Sequence, residues 1–176
     1  MSDYSEELAS AVGKIAVALE KAGGARDGWS FLSPGDVSGL RRMDPKRPCS
    51  AFWRILETFV PEGMRRSTET ERRWALVCQG MAFMAPRVHD MSKPFGRALY
   101  EAGFASEDRP MRVNRLLAAE DEVFEEYLLS ACRYLAAKAQ PANWVGISRL
   151  FINQDAAARR DLAKSFFTCS TRGKAA

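Results

Sequence analysis

The chain has 176 residues, of which 47% are hydrophobic, and its 26 lysines and arginines exceed 22 acidic residues to give a net charge of +4. This length and apolar content predict a globular protein with one core or two small lobes, and they exclude a mainly disordered chain. The basic excess comes largely from arginine, whose planar fork suits phosphate oxygens, and it favours a polyanionic partner.

The four cysteines lie far apart and form no C-x-x-C pair, so we interpret them as reduced packing residues and not as metal ligands. No apolar run approaches the roughly 20 residues that span a bilayer, and no secretory segment is recognised at the start of the chain. A cytoplasmic protein without a membrane partner, a cofactor or a bound metal is therefore expected.

Apolar residues recur three and four positions apart and are interrupted by proline and glycine, which predicts an all-α fold, a compact helical bundle. The first helix is expected to begin at the capping box Asp3-x-x-Glu6 and to stop at Gly23-Gly24. Asp36 is then expected to cap a short second helix. The predicted core positions of these two helices are Leu8, Val12, Ile15, Leu19, Val37, Leu40 and Met43.

Two further helices are predicted before the middle of the chain. One follows Pro48 and is ended by Pro61, because proline is accepted in a first turn but cannot continue a helix. The next helix is expected to run from about Thr68 to Met84.

The predicted organisation is one all-helical domain over residues 1–169. A segment around Pro86, from 85 to 92, is the expected boundary between possible lobes at 1–85 and 92–169. Domain boundaries, which few contacts cross, tend to fall in such stretches. The small polar residues 170–176 are expected to form a flexible tail.

In the second half, Ser92 is expected to cap a helix that Gly103 ends in a left-handed conformation, and another helix is expected to start near Ser106. The acidic run 120–122 marks a further helix start, because acidic side chains complement the positive end of a helix. The predicted core positions are Val113, Leu116, Leu117, Phe124, Tyr127, Leu128, Ala131 and Leu135. The last predicted helices are Trp144–Ile152 and Asp155–Thr168.

Catalytic chemistry finds little support in the sequence. The single histidine, His89, lies outside any metal-binding or phosphate-cradling motif, and it reads as a solvated loop residue or as a pH-sensitive contact beside Asp90. The adjacent carboxylates Glu125 and Glu126 point about 100° apart on a helix, so they do not converge on a substrate. The chain is therefore expected not to be an enzyme.

Arginines form a series of short groups that a fold could merge into a basic stripe. These groups are Arg41-Arg42 with Lys46-Arg47, Arg65-Arg66, Arg72-Arg73, Arg97, the set Arg109, Arg112 and Arg115, and Arg159-Arg160. A spacing of three places Arg112 and Arg115 on one helix face, where they could follow successive phosphates. The alternative is that the arginines are solvated or paired with the carboxylates of Glu69, Glu71, Glu107, Asp108 and Asp161.

The aromatic residues favour a core over a platform for stacked bases, because they fall on the apolar helix faces. The residues concerned are Phe52, Trp53, Trp74, Trp144, Phe166 and Phe167. Contact with the phosphate backbone is therefore the expected mode of binding.

Several motifs follow one another along the chain. The early motif is Gly39-Leu40-Arg41-Arg42-Met43 followed by Ala51-Phe52-Trp53-Arg54-Ile55-Leu56. The central motifs are Phe95-Gly96-Arg97-Ala98-Leu99 with Gly103, then Glu107, Arg109, Arg112 and Arg115-Leu116-Leu117-Ala118-Ala119, and a late tryptophan is Trp144. In their order and spacing over roughly residues 36–167, these motifs resemble the CasB family, the small subunit of the type I-E CRISPR Cascade surveillance complex.

The resemblance implies a non-catalytic helical subunit, present in two copies, that contacts the repeated backbone subunits and the large subunit of Cascade. It implies that basic surfaces hold the crRNA-guided target strand and the displaced non-target strand, which stabilises the R-loop in antiviral defence. The other function considered is a helical protein–protein adaptor whose basic surface is incidental.

The candidate nucleic-acid-binding residues lie in the matched motifs: Arg41, Arg42, Arg97, Arg109, Arg112 and Arg115. Weaker candidates are Lys46, Arg47, Arg159 and Arg160, the last two because Asp155 and Asp161 could neutralise them. Arg97 has an alternative structural role, in which it holds helix ends or a carboxylate such as that of Glu120.

Overall fold

The structure is a computed structural model that describes residues 2–22, 30–104 and 111–173. Every regular element within these ranges is helical, so the predicted all-α class is confirmed. The chain divides into two compact units, Met1–His89 and Asp90–Ala176. In the described part of the chain, no helix is both long enough and apolar enough to cross a membrane.

The described part of the first unit, residues 2–22 and 30–89, contains four α-helices. They are α1 (Ser2–Ala22), α2 (Pro34–Arg42), α3 (Ser50–Phe59) and α4 (Thr68–Met84), with a 3-10 turn at Glu62–Met64 between α3 and α4. The predicted bounds of α4 are confirmed, and α3 lies between the two prolines that were expected to delimit it.

The core of the first unit forms around α4, which is buried from Trp74 to Ala82 and contacts α1, α2 and α3. The predicted core positions of α1 and α2 are all buried, as a three- and four-residue spacing requires. The Trp74 indole donates a hydrogen bond to the Met64 carbonyl at 2.9 Å, so its polar edge is satisfied inside the core.

The start of α2 differs from the prediction, because Ser33 and not Asp36 is the N-cap. Pro34 occupies the first turn, where its missing N–H costs nothing. The Ser33 hydroxyl accepts a hydrogen bond from the Asp36 amide at 3.1 Å, and the Asp36 carboxylate accepts one from the Ser33 amide at 2.8 Å. Asp36 is therefore the third helical residue of a capping box.

Side chains of α2 and α4 satisfy each other's C-terminal carbonyls. The buried Gln79 amide donates hydrogen bonds to the carbonyls of Met43 at 2.8 Å and Arg41 at 3.3 Å. Arg41 in turn donates from Nε to the Ala82 carbonyl at 2.7 Å and from Nη2 to the Ala85 carbonyl at 3.2 Å. The last carbonyls of a helix lack partners within the helix, so these bonds stabilise both ends.

The second unit contains five α-helices within its described residues. They are α5 (Phe95–Glu101), α6 (Met111–Ala118), α7 (Asp121–Ala137), α8 (Trp144–Ile152) and α9 (Ala156–Gly173). The predicted bounds of α8 are confirmed. Helix α9 continues to Gly173, beyond the end that the sequence predicted at Thr168. The helix start expected near Ser106 lies outside the described residues.

Helices α5 and α9 pack closely where α5 carries Gly96. A Cβ atom at this position would collide with the backbone of Leu162 and Phe166 and with the Ser165 side chain. Phe95, Ala98 and Leu99 of α5 are buried around it. Gly96 is therefore required by close packing and not by its backbone conformation.

The N-cap of α5 differs from the predicted one, whereas the end of the helix agrees with the prediction. Pro94 and not Ser92 is the N-cap, because the Ser92 hydroxyl instead donates to the Asp90 carboxylate at 2.6 Å. Gly103 follows the helix with φ +73°, the left-handed conformation predicted for it.

Helix α7 begins at the predicted acidic run, with Glu120 as N-cap and two acidic residues in the first turn. Phe124, Leu128, Ala131 and Leu135 are buried as predicted. Tyr127 is 40% exposed, so its placement in the core was wrong. It lies one residue before Leu128 and therefore points about 100° away from that buried side chain.

Most of the aromatic residues lie in the core as predicted, namely Phe52, Trp74, Trp144 and Phe166. Trp53 and Phe167 do not, since each is about two-fifths exposed and follows a buried aromatic residue directly. All four cysteines are free thiols. Burial raises the pKa of Cys78 and of Cys132, so both thiols stay protonated and act as packing residues.

Candidate nucleic-acid interface

The candidate residues of the first unit lie at and after the end of α2. Arg41 is oriented by the two carbonyls at the end of α4, although the residue as a whole is exposed. Arg42, Lys46 and Arg47 are also exposed. Lys46 and Arg47 stand on a tight turn in which Asp44 accepts hydrogen bonds from both of their amides, at 2.9 and 2.8 Å.

Three arginines around the start of α4, Arg65, Arg72 and Arg73, are paired with carboxylates, as the alternative interpretation of the sequence predicted. Glu69 accepts from Arg72 and from Arg73, both at 2.8 Å, and Arg65 pairs with Glu57. Hydrogen bonds from Arg72, followed by Arg73, lower the pKa of the Glu69 carboxyl to about 2. These guanidinium groups therefore have local counter-charges that compete with a phosphate.

Arg97 pairs with Glu101, one turn further along its own helix, at 2.7 Å. The same carboxylate lies 3.3 Å from the Lys93 ammonium, and the hydrogen bond from Arg97 lowers the pKa of Glu101. The Arg97 side chain is 52% exposed. Its carboxylate partner is thus not Glu120, and a pair of this kind on one helix face adds little to stability.

Arg112 and Arg115 are both exposed on one face of α6, as their spacing predicted, and they border a cleft of about 450 Å³ between α6 and α7. The third residue of that sequence group, Arg109, lies outside the described residues. From the α6 side, the cleft is lined by Arg112, Arg115 and Leu116, with Phe104 before the helix. From the α7 side, it is lined by Tyr127, Ser130, Arg133 and Tyr134. We refer to this site as the α6–α7 cleft.

No acidic side chain occurs among the described residues that line the α6–α7 cleft. The Arg112 guanidinium carbon lies 5.9 Å from the centre of the Phe104 ring, within the range of a cation–π contact. The cleft therefore combines positive charge with aromatic surface. Sequence reasoning missed its α7 side, although Tyr127, Ser130 and Tyr134 recur at helical spacing.

Arg159 has a structural position. Its Nη1 donates hydrogen bonds to the carbonyls of Ala119 at 2.6 Å and Leu117 at 3.3 Å, at the end of α6. Its guanidinium carbon lies 3.9 Å from the centre of the Phe124 ring. The arginine therefore joins the end of α6 to α7 and α9, which leaves less of it for an external partner.

The carboxylates that were expected to neutralise Arg159 and Arg160 lie elsewhere. Asp155 and Asp161 approach Arg149, at 3.8 and 3.9 Å. Arg160 is exposed on α9. Of this pair, only Arg160 therefore remains on the surface as a weaker candidate.

Within the described ranges, no group of three or more histidine, cysteine or acidic side chains is placed so that it could hold a metal ion.

Comparison with known proteins gives a family and a fold. The profile of CRISPR-associated protein Cse2 matches residues 36–167. No curated protein sequence matches the chain.

Two solved structures share the fold at low sequence identity. One is a chain in the crystal structure of Escherichia coli Cascade bound to a PAM-containing double-stranded DNA target, with 17% identity and a TM-score of 0.65. The match covers 91% of this chain and 96% of that one. The other is CasB from Thermus thermophilus, with 16% identity, a TM-score of 0.61, and coverage of 89% and 97%.

Proposed function

The chain belongs to the family of CRISPR-associated protein Cse2, and from this premise we propose that it is a non-catalytic subunit of a type I-E Cascade complex. The resemblance of its motifs to CasB is confirmed by this membership. Its role is to hold the phosphate backbones of the target strand and of the displaced strand. Its partners are the crRNA, both DNA strands, the repeated backbone subunits, the large subunit and a second copy of itself, in the cytoplasm.

The observation that carries this proposal is the exposed pair Arg112 and Arg115 beside a cleft whose described lining contains no acidic residue. Guanidinium groups that meet no carboxylate among the described lining residues are open to bidentate contact with phosphate oxygens. Arg42 and Arg47 of the first unit and Arg160 of the second are exposed as well and are further candidates, each within its own unit. If a single strand meets about six phosphate-binding groups, the log–log salt dependence of its affinity has a slope of roughly −4.

Modest contacts of this kind suffice for the proposed role. R-loop formation exchanges a DNA duplex for an RNA–DNA duplex of about the same stability, so protein contacts to the backbone can decide the balance. Base pairing with the guide then supplies sequence specificity, while this subunit supplies charge. The isolated chain is expected to bind nucleic acid weakly and without sequence preference, because most of the affinity arises in the assembled complex.

A helical protein–protein adaptor is the second candidate, and exposed apolar side chains of the first unit favour it. Val17 of α1 is 47% exposed and Phe31 is 39% exposed, and both border a groove of about 560 Å³. The ring of Phe59 lies 4.7 Å from that of Phe31. Such a surface suits contact with a neighbouring subunit.

The deciding experiment measures R-loop formation by the reconstituted complex in three forms. One contains the wild-type subunit, one lacks the subunit, and one contains the variant with Arg109, Arg112 and Arg115 changed to alanine. The variant must first show wild-type circular dichroism and assembly. Loss of R-loops on omission, reproduced by the variant, supports strand holding. If R-loops are lost when the subunit is omitted but form normally with the variant, the adaptor function is favoured. Normal R-loops without the subunit would overturn both proposed functions.

A further inference from the structure

The α6–α7 cleft has features that backbone binding alone does not require. Two helix faces line it: positions 112, 115 and 116 of α6, and positions 127, 130 and 134 of α7. Each set follows the three- and four-residue spacing of one helix face. Its volume of about 450 Å³ is too small for a duplex but lies within the range of pockets that take a small organic group.

The aromatic part of the cleft is held in place. The rings of Phe104 and Tyr134 meet edge to face, with centres 5.2 Å apart and an angle of 72° between their planes. The Tyr134 hydroxyl donates to the carbonyls of Ala102 and Gly103, at 3.0 Å each. Tyr127 is 40% exposed and Phe104 is 8% exposed, so Tyr127 supplies most of the aromatic surface on which a nucleobase could stack, beside the fixed pair of Phe104 and Tyr134.

The basic part of the cleft adjoins the aromatic part. Arg112 contacts the Phe104 ring at 5.9 Å, Arg115 lies one helical turn further along α6, and Arg133 faces the cleft from α7. Ser130 adds a hydroxyl that can donate to or accept from a polar ring edge. The site therefore offers positive charge, an aromatic surface and a hydrogen-bonding group within one small volume.

We infer that the α6–α7 cleft binds one unstacked nucleotide of a single strand, with its base against Tyr127 and Phe104 and its flanking phosphates on Arg112 and Arg115. The inference rests on the proposed function and adds a base-stacking site to it. A free phosphate would use the arginines but not the aromatic rings. Every base has a π-face, so such a site holds a strand without reading its sequence.

The test compares two oligonucleotides binding to the full chain at low salt, measured by fluorescence anisotropy. One is a short single-stranded DNA of thymidines, and the other is its abasic counterpart of equal length. The wild type is expected to bind the intact strand about tenfold more tightly, which is the contribution of one stacked base. Tyr127→Ala is expected to bring this ratio close to one, whereas Tyr127→Phe, which keeps the ring, retains it.

Two matched variants separate stacking from other effects. Trp53→Ala removes an aromatic residue of similar exposure, 41%, outside the cleft, and is expected to leave the base preference unchanged. Arg115→Gln is expected to weaken binding of both strands by a similar factor and to keep their ratio. Circular dichroism confirms the folding of each variant.

Equal affinity of the wild type for both strands would overturn the nucleotide site while leaving backbone binding intact. A base preference that survives Tyr127→Ala would overturn it too. Absence of binding to either strand would remove the nucleotide site together with DNA binding by this chain. A glutamate-rich peptide containing phenylalanine that binds the wild type more tightly than the intact strand, and loses affinity in Tyr127→Ala, would make the cleft a peptide site instead.

Discussion

Two regions of the molecule carry arginines close together in sequence, yet they differ in electrostatic character. Near the start of α4, Arg72 and Arg73 share the carboxylate of Glu69. In the α6–α7 cleft, Arg112 and Arg115 lie beside aromatic rings, and none of the described lining residues is acidic. A count of arginines therefore does not locate a basic surface, because the carboxylates within reach decide how much charge remains for a partner.

The difference follows from helical spacing. Glu69 lies three residues before Arg72 and four before Arg73, the two separations at which side chains on a helix meet. The corresponding positions around Arg115 are Met111 and Arg112 before it and Ala118 and Ala119 after it, so no carboxylate stands at these spacings. Asp108 stands four residues before Arg112 and lies outside the described residues.

Arg159 differs from both groups, because it bonds to backbone carbonyls and contacts a buried ring. Its loss is expected to have the largest effect on stability. Arg159→Ala removes two hydrogen bonds from a charged donor to the end of α6 and the contact with the Phe124 ring. We expect the free energy of unfolding to fall by about 2 kcal/mol, measured by urea denaturation. The neighbouring Arg160→Ala is the control and is expected to change it by less than about 0.5 kcal/mol. Equal effects would place Arg159 among the surface arginines.

Glu69→Gln removes the carboxylate that Arg72 and Arg73 share. The start of α4 then resembles the α6–α7 cleft in lacking this acidic partner for its arginines. Because the folded pKa of Glu69 is about 2, against a usual 4.5, its contribution to stability is complete above pH 4.5 and is lost as the pH falls towards 2. The group is about half exposed, so the expected loss at neutral pH is at most about 1 kcal/mol.

The stability difference between wild type and Glu69→Gln is expected to close between pH 4.5 and pH 2 in urea titrations. The same variant is expected to bind single-stranded DNA about two- to threefold more tightly at low salt, because two guanidinium groups lose their partner. Unchanged affinity would indicate that this end of α4 does not meet DNA.

Arg97→Ala is expected to have the smallest effect on stability. Its pair with Glu101 lies on an exposed helix face, so thermal melting followed by circular dichroism is expected to match the wild type within error. Low-salt affinity for single-stranded DNA is expected to fall about twofold, because one exposed charge is removed. A large drop in the melting temperature with unchanged binding would instead assign Arg97 a structural role.

Helix positions were predictable where the start and stop signals of the sequence agree with the spacing of its apolar residues. The bounds of α4 and α8, and the start of α7 at its acidic run, follow from local sequence. Cap identities were less predictable, because several hydrogen-bonding residues stood near each start. Ser33 and not Asp36 is the N-cap of α2, because Pro34 occupies the first helical position. The Ser92 hydroxyl donates to the Asp90 carboxylate and does not cap α5.

The candidate site was predictable only in part, because its two sides come from different helices. The shared face of Arg112 and Arg115 follows from their spacing, but Tyr127 looked like a core residue until its exposure was known. The partners of Arg159 are backbone carbonyls 40 and 42 residues distant along the chain, at the end of another helix, which no local pattern indicates. The exposure of Tyr127 and the partners of Arg159 are both set by tertiary packing.

The most direct test compares two double variants of equal charge change by their affinity for single-stranded DNA across a salt series. Arg112→Gln with Arg115→Gln alters the cleft, and Arg72→Gln with Arg73→Gln alters the paired region. We expect the first to lower the low-salt affinity about tenfold and to make the log–log slope shallower by about 1.4, and the second to change affinity by less than about twofold. Equal losses, or a larger loss from the second variant, would contradict the assignment of the α6–α7 cleft as the phosphate-binding surface.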